Sequence, residues 1–172
     1  MELSPTARVL LAMIRNGRRT GYEIKQLVDV STRFFWAASY GQIYPELKRL
    51  EAGRLIAGED DPTGGRQRRA YSLTPEGDAA LDAWLRSDAE PIYELRDEAL
   101  LKLFFSNELT TEERLRIIRQ MRARHQSVVD GLRSVEGAAA AVGGAPHTTL
   151  QFGLGLHGWV VDWCRKQEEE LE

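Results

Sequence analysis

Residues 39–56 read SYGQIYPELKRLEAGRLI, and after a run of turn formers residues 66–77 read RQRRAYSLTPEG. Ser39 with Gln42 three residues on has the spacing of a reciprocal helix cap, so a helix is expected to open at Ser39 and to stop near Gly53. At about 100° per residue, Ile43, Leu47 and Leu50 fall on one side, while Gly41, Gln42, Tyr44, Pro45, Lys48 and Arg49 spread over the other. Pro45 lacks a backbone donor, which a helix tolerates near its start or with a slight kink. Leu55–Ala57 and Arg69–Leu73 are strand-like, and Asp60-Asp61-Pro62-Thr63-Gly64-Gly65 between them predicts a hairpin with a mobile tip. A short helix with one polar face, followed at once by a cationic hairpin, suits DNA: the helix enters the major groove and the hairpin lies on the backbone. The expected domain is a winged helix-turn-helix.

Upstream, Ser4-Pro5 opens a helix whose apolar residues Ala7, Val9, Leu10, Leu11, Met13 and Ile14 end at Asn16-Gly17. Thr20 caps a second helix running to about Thr32, with Ile24, Leu27 and Val28 as its inward stripe. Phe34, Phe35 and Trp36 in a row fit no single helical face and belong to a connection. Downstream, Thr74, Pro75 and Glu76 start a further helix through Leu81, Trp84 and Leu85. These elements make an N-terminal domain of residues 1–88, and Pro91 marks the boundary to a second domain, 89–172.

The second domain reads as all helix. Leu95–Phe105 is one apolar helix, and Thr110 or Thr111 with Glu112-Glu113 begins a long one. Ile118, Met121, His125, Val128, Leu132, Val135, Ala139 and Val142 then step by three and four, a heptad seam that needs a partner. Gly143-Gly144-Ala145-Pro146 breaks it, and a last helix from His147 to about Glu169 is apolar on several sides, which a second copy of the chain would cover. The fold expected is mainly α, a winged helix joined to a coiled-coil-like helical dimerisation domain.

Charge and composition agree with such a protein. The 172 residues are 42% apolar and 28% charged, with net charge −3. Residues 1–90 hold thirteen Lys/Arg against thirteen Asp/Glu, so the acidic excess lies in the second half. DNA binding depends on where cations sit rather than on their sum, and here they cluster: Arg15, Arg18 and Arg19; Lys48 and Arg49; Arg66, Arg68 and Arg69. Leu150–Trp163, the most apolar window, is too short and polar to span a bilayer, and the N-terminus is unlike a secretory signal, so a cytoplasmic protein with no membrane partner is expected. Cys164 is alone and reads as core filling. His125, His147 and His157 are scattered at no metal-ligand spacing, His125 reading as a register-setting polar residue on the seam. Residues 153–158, GLGLHG, match GxGxxG without the strand that would make a nucleotide site, and are read as close helix contacts. No nucleophile with an activating base stands out, so neither an enzyme nor a cofactor is expected.

The residues resemble the PadR-like transcriptional regulators. The resemblance rests on Gly21-Tyr22-Glu23-Ile24, on residues 41–51 (GQIYPELKRLE), on Gly53-Arg54-Leu55-Ile56 and on residues 65–77 (GRQRRAYSLTPEG). Leu95-Arg96-Asp97-Glu98, residues 100–105 (LLKLFF) and a last helix ending near a tryptophan are similar to the helical C-terminal domain of the longer members. Gln67 stands where a proline is frequent, and Gln42 where a threonine is frequent. The resemblance implies a homodimeric repressor, usually released from its operator by a small ligand or stress signal.

Candidate residues follow from both readings. Tyr22, Ser39, Gly41, Gln42, Tyr44, Lys48, Arg66 and Arg68 are the DNA-binding set: Tyr44, Lys48 and the Gly41 backbone on phosphate, Gln42 on an adenine edge, the arginines on the wing. Along a strand Arg66 and Arg68 share a side that Arg69 does not, and Arg49 lies where it would serve structure. A cationic wing opposite Asp60 and Asp61 is alternatively an internal salt-bridge cluster. About four cationic contacts per protomer would give log affinity against log salt a slope near −7. Dimerisation is assigned to Leu103, Ile118, Met121, Val128, Leu132, Val135, Leu154, Trp159 and Val161. Trp36, Trp84 and Trp163 are candidate walls for an effector, although as core or interface residues they need no ligand. The competing function is a winged-helix adaptor that contacts proteins and not DNA.

Overall fold

The computed structural model describes residues 2–61, 68–91 and 93–172. They form two compact units, divided between Pro91 and Ile92. The first contains helices α1 (Pro5–Arg15), α2 (Gly21–Val30), α3 (Tyr40–Ala52) and α4 (Pro75–Leu85), a 3-10 turn at Thr32–Phe34, and antiparallel strands β1 (Ile56–Asp61) and β2 (Arg68–Leu73). The second contains α5 (Glu98–Phe104), α6 (Thr111–Val142) and α7 (Gly144–Leu171).

In the first unit each helix buries the stripe that its spacing implies. Leu10 and Leu11 of α1, Ile24 and Val28 of α2, and Ile43, Leu47 and Leu50 of α3 form one core with Ile56, Tyr71 and Leu81. Burying each of these leucines or isoleucines contributes about 1.5–3 kcal/mol relative to exposure. Helix α1 is also held at both ends. Its cap Ser4 accepts from the Ala7 N–H and donates to Glu46 Oε1 of α3 at 2.7 Å, while Arg15 pairs with Asp78 and Asp82 of α4 at 2.7 and 2.8 Å.

The end of α3 differs from its simplest reading. The chain turns left-handed at Arg54 (φ 57°), one residue beyond Gly53 (φ −77°). The Arg54 N–H donates to the Glu51 carbonyl and the Leu55 N–H to that of Leu50, the pairing of a Schellman end with arginine in the position glycine usually takes. Thr74 holds this turn, its Oγ donating to the Arg54 carbonyl at 2.7 Å while accepting from Gly77 N–H of α4 at 3.1 Å. A Cβ on Gly77 would collide with the Leu55 carbonyl oxygen, so glycine is what lets the first turn of α4 lie on the start of the hairpin. Strand β1 also continues through Asp60 and Asp61, which the sequence assigns to the turn. A cross-strand partner explains it: Asp60 faces Arg69 in the ladder and pairs with it at 2.9 Å, and the register runs on to Asp61 opposite Arg68. The tip, 62–67, lies outside the described residues.

In the second unit α5 is shorter than Leu95–Phe105, because Asp97 caps it by accepting from the Ala99 and Leu100 N–H groups. Thr110 and Glu113 form the capping box that opens α6. Helix α7 starts at Gly144, earlier than His147, since Pro146 falls in the first turn where no backbone donor is required. Gly143 (φ 67°) makes the reversal, so α7 runs back antiparallel along α6. Ile118 and Met121 pack with Val160 and Cys164, and partly buried Ala99, Leu103, Trp163 and Leu171 close round them. Arg122 and Glu168 pair at 2.7 Å across the two helices.

Candidate nucleic-acid interface

Helix α3 presents Gly41, Gln42, Tyr44, Pro45 and Lys48 to solvent, while Ile43, Leu47 and Leu50 are fully buried. The Ser39 N–H and hydroxyl both donate to Gln42 Oε1, at 2.9 and 3.1 Å. The cap that starts the helix therefore occupies the amide oxygen and leaves the amide nitrogen to point elsewhere. Tyr40 and Tyr44, one turn apart, stack with centroids 6.0 Å apart, and the Lys25 ammonium lies 5.6 Å from the Tyr40 centroid. A Cβ on Gly21 would come within 2.8 Å of the Tyr44 ring, so glycine at the first residue of α2 is what seats that tyrosine. Tyr22, half exposed, accepts at its hydroxyl from Gln26 Nε2 at 2.9 Å.

The arginines divide by partner. Arg49 is spent within α3, donating to both oxygens of Glu46 at 2.6–3.1 Å. Those bonds, with a smaller one from Ser4, hold the Glu46 carboxyl below the usual carboxylate range against the opposing effect of burial. Arg69 donates to Glu51 of α3 and, at 2.9 Å, to Asp60 across the hairpin. Its guanidinium is thereby held even more firmly charged, Glu51 contributing most. Gly58 makes the room, since a Cβ there would meet Glu51 Oε1 at 2.5 Å and Arg69 Nε at 2.6 Å. The internal salt-bridge alternative thus applies to Arg69, and it ties the hairpin to α3. Lys48 has no ion-pair partner among the described residues and stands exposed.

Tyr22, Ser39, Gly41, Gln42, Tyr44 and Lys48 therefore lie on α3 and the adjoining start of α2. Arg68 is placed by its backbone at the start of β2, and Arg66 lies outside the described residues. Tyr40 and Lys25 belong to the same surface and were not selected from sequence. The four-residue spacing from Tyr44 is the signal for Tyr40, whereas Lys25 is placed only by the packing of α2 on α3.

The assigned dimerisation residues fare differently. Ile118, Met121, Leu132 and Val161 are buried within the single chain. Within the chain Ile118, Met121 and Leu132 of α6 meet α7. Leu103, Val128, Val135 and Leu154 are partly exposed and Trp159 is 64% exposed. Leu101, Phe104, Phe105, Phe152 and Leu156 also face solvent. His125 and His157 are not scattered: the α6–α7 hairpin brings their Nδ1 atoms to 2.8 Å, with Asp97 3.9 Å from His125 Nε2. Of the three glycines in 153–158 only Gly153 is a close contact, with Leu132; Gly155 and Gly158 face open space, which nothing in the structure explains. Trp36 and Trp84 line one cleft of the first unit, and Trp163 packs on the Ile118 cluster of the second.

The fold and this surface define a winged helix-turn-helix protein with a separate helical C-terminal unit. Residues 10–83 match the transcriptional regulator PadR-like family, and residues 95–172 match the family described as virulence activator alpha C-term. The negative transcriptional regulator PadR of Bacillus subtilis is 30% identical over 126 residues, 72% of this chain and 69% of that protein. The chain belongs to the PadR-like family of transcriptional regulators. Its fold matches the crystal structure of Bacillus subtilis PadR in complex with operator DNA, with TM-score 0.88 over 100% of both chains at 22% identity. It also matches that regulator's complex with p-coumaric acid, with TM-score 0.77 at 24% identity over 96% of this chain and 97% of that one.

Proposed function

We propose that this chain is a homodimeric repressor that reads a two-fold operator, with α3 in the major groove and the β1–β2 hairpin as wing. A small ligand releases it. The observation that carries the reading is the outward side of α3: Tyr40, Gln42, Tyr44 and Lys48 exposed together on a helix whose other side is fully buried. The family membership supports regulation of transcription, and the Bacillus subtilis relative, which binds operator DNA and p-coumaric acid, supports the DNA and the ligand. The first unit acts as reader and the second as dimeriser. The second copy is met through the exposed Phe104, Phe105, Phe152 and Trp159 rather than through the buried seam.

Tyr22, Ser39, the Gly41 backbone, Tyr44 and Lys48 contact phosphate, and Gln42 faces a base edge. Arg49 and Arg69 are engaged by Glu46 and Glu51, so Lys48 with Arg66 and Arg68 supplies about three cations per protomer. For about six neutralised phosphates per dimer the slope of log affinity against log salt is near −5. Selection of bound fragments from the source genome, followed by salt titration of the best fragment, tests this. Lys48→Ala, which removes the cation from both protomers, is expected to weaken binding uniformly across sequences and to reduce the slope by about two. A flat salt dependence, or binding untouched by Lys48→Ala, overturns the reading in favour of a protein-binding adaptor.

A further inference from the structure

Gln42 stands at the third residue of α3, in the turn that a recognition helix points at base edges, and its side chain is exposed. Its amide is already half engaged. The Ser39 N–H and the Ser39 hydroxyl both reach one atom of it, at 2.9 and 3.1 Å. A backbone N–H can only donate, so that atom is the amide oxygen, and an amide oxygen has two lone pairs. Both are taken. The amide nitrogen, with its two hydrogens, has no hydrogen-bond partner among the described residues. The cap also fixes where that nitrogen points, because the side chain cannot swing round without giving up the bonds that begin the helix. The outer side of this turn is open: a Cβ on the neighbouring Gly41 would have only Ser39 Oγ within 4 Å, at 3.8 Å.

We propose that Gln42 selects guanine, its Nε2 group donating to N7 and O6 of one guanine in each half-site. This rests on the reading of α3 as the helix in the major groove, and it replaces the adenine that a free glutamine would favour. Adenine is read bidentately by an amide that donates to N7 and accepts from the N6 amino group. Here Ser39 occupies the accepting half, so the N6 amino group would face the second amide hydrogen, donor against donor. Cytosine offers its N4 donor and thymine a single O4 acceptor, whereas guanine offers two acceptors side by side. A side chain already ordered in the free protein also gives up little rotamer freedom on binding. The groups of this surface that touch phosphate set affinity and register; Gln42 sets sequence.

The test is binding-site selection with the full chain, wild type against Gln42→Ala and Gln42→Glu, followed by titration of the selected duplex with each base pair placed at the affected position of both half-sites. In the wild type that position is expected to be guanine, with adenine there costing roughly ten-fold per half-site. Gln42→Ala should flatten the preference at that position alone and leave the salt slope unchanged, since no charge is lost. Gln42→Glu keeps one oxygen for the Ser39 cap and turns the outer group into an acceptor, so the preference should move to cytosine. It also serves if Gln42→Ala fails to fold by circular dichroism. Ser39→Ala frees one lone pair of the amide oxygen and should narrow the gap between guanine and adenine, which loss of a merely structural cap would leave unchanged. A wild-type preference for adenine or any other base there, identical selected motifs for wild type and Gln42→Ala, or guanine retained by Gln42→Glu overturns the assignment and leaves the DNA reading standing. Failure to select any fragment, or a flat salt dependence, overturns both.

Discussion

In the first unit Leu10, Leu11, Ile24, Ile43, Leu47 and Leu50 are wholly inaccessible, and the aromatic residues left outside stand mainly on the face of α3 or around one cleft. In the second unit Phe104, Phe105, Phe152 and Trp159 are between 64% and 76% exposed, while the core that contains Ile118 and Met121 is small. One unit has closed its core and can spend its surface on recognition. The other leaves apolar area uncovered of the kind that marks an interface. Two long helices in a hairpin can bury only the seam between them, so their outer faces stay apolar until something else covers them.

Truncation should break the comparison if it is wrong. Leu47→Ala in the closed core is expected to cost about 2–5 kcal/mol in chemical denaturation. Phe104→Ala should stay within about 0.5 kcal/mol in the isolated chain, while sedimentation shows the dimer weakened. Equal costs at the two sites would remove the distinction. Gly77→Ala comes next, at about 1–3 kcal/mol, because its Cβ must displace the Leu55 carbonyl rather than a flexible side chain. The loss should be read from the unfolding of the first unit, and tolerance of alanine would mean that the α4–hairpin contact is looser than drawn.

The smallest effect concerns pH and belongs to the second unit. Burial lowers the pKa of both His125 and His157; for His157 the neighbouring His125 adds to this, and for His125 Asp97 opposes it. A histidine with a depressed folded pKa binds fewer protons than the unfolded chain. Its stabilising contribution is present above the unfolded value of about 6.5 and is lost as pH falls below it. The second unit should therefore lose stability between about pH 7 and 5.5, where most carboxylates remain ionised. Urea titrations with hydrogen exchange resolve the two units, and His157→Gln should flatten the dependence. A pH response confined to the first unit would contradict the pairing.

Much of the first unit was legible because its determinants are local. Ser4, Thr20, Ser39 and Thr74 mark helix starts that the structure places within a residue, and the three- and four-residue stripes are the residues it buries. Legibility ended where two distant segments decide a conformation. Arg54 takes the left-handed turn because Thr74, twenty residues away, holds its carbonyl. Strand β1 runs through Asp60 because Arg69, nine residues on, faces and pairs with it across the ladder. On α6 the apolar spacing marks Ile118, Met121 and Leu132 as inward, but periodicity tells which face is apolar and not what covers it, and within the chain α7 covers these three.

By itself the sequence determined a winged helix followed by a helical unit, and the residues on the outward side of α3, because caps, turn formers and apolar spacing act within a few residues. Only the tertiary structure decided which cations are already paired, that Gln42 shares its amide oxygen with the helix cap, that His125 meets His157, and that Arg8 lies over the Trp84 ring. Those facts depend on which side chains come within hydrogen-bonding reach after packing, and neither spacing nor composition carries that distance.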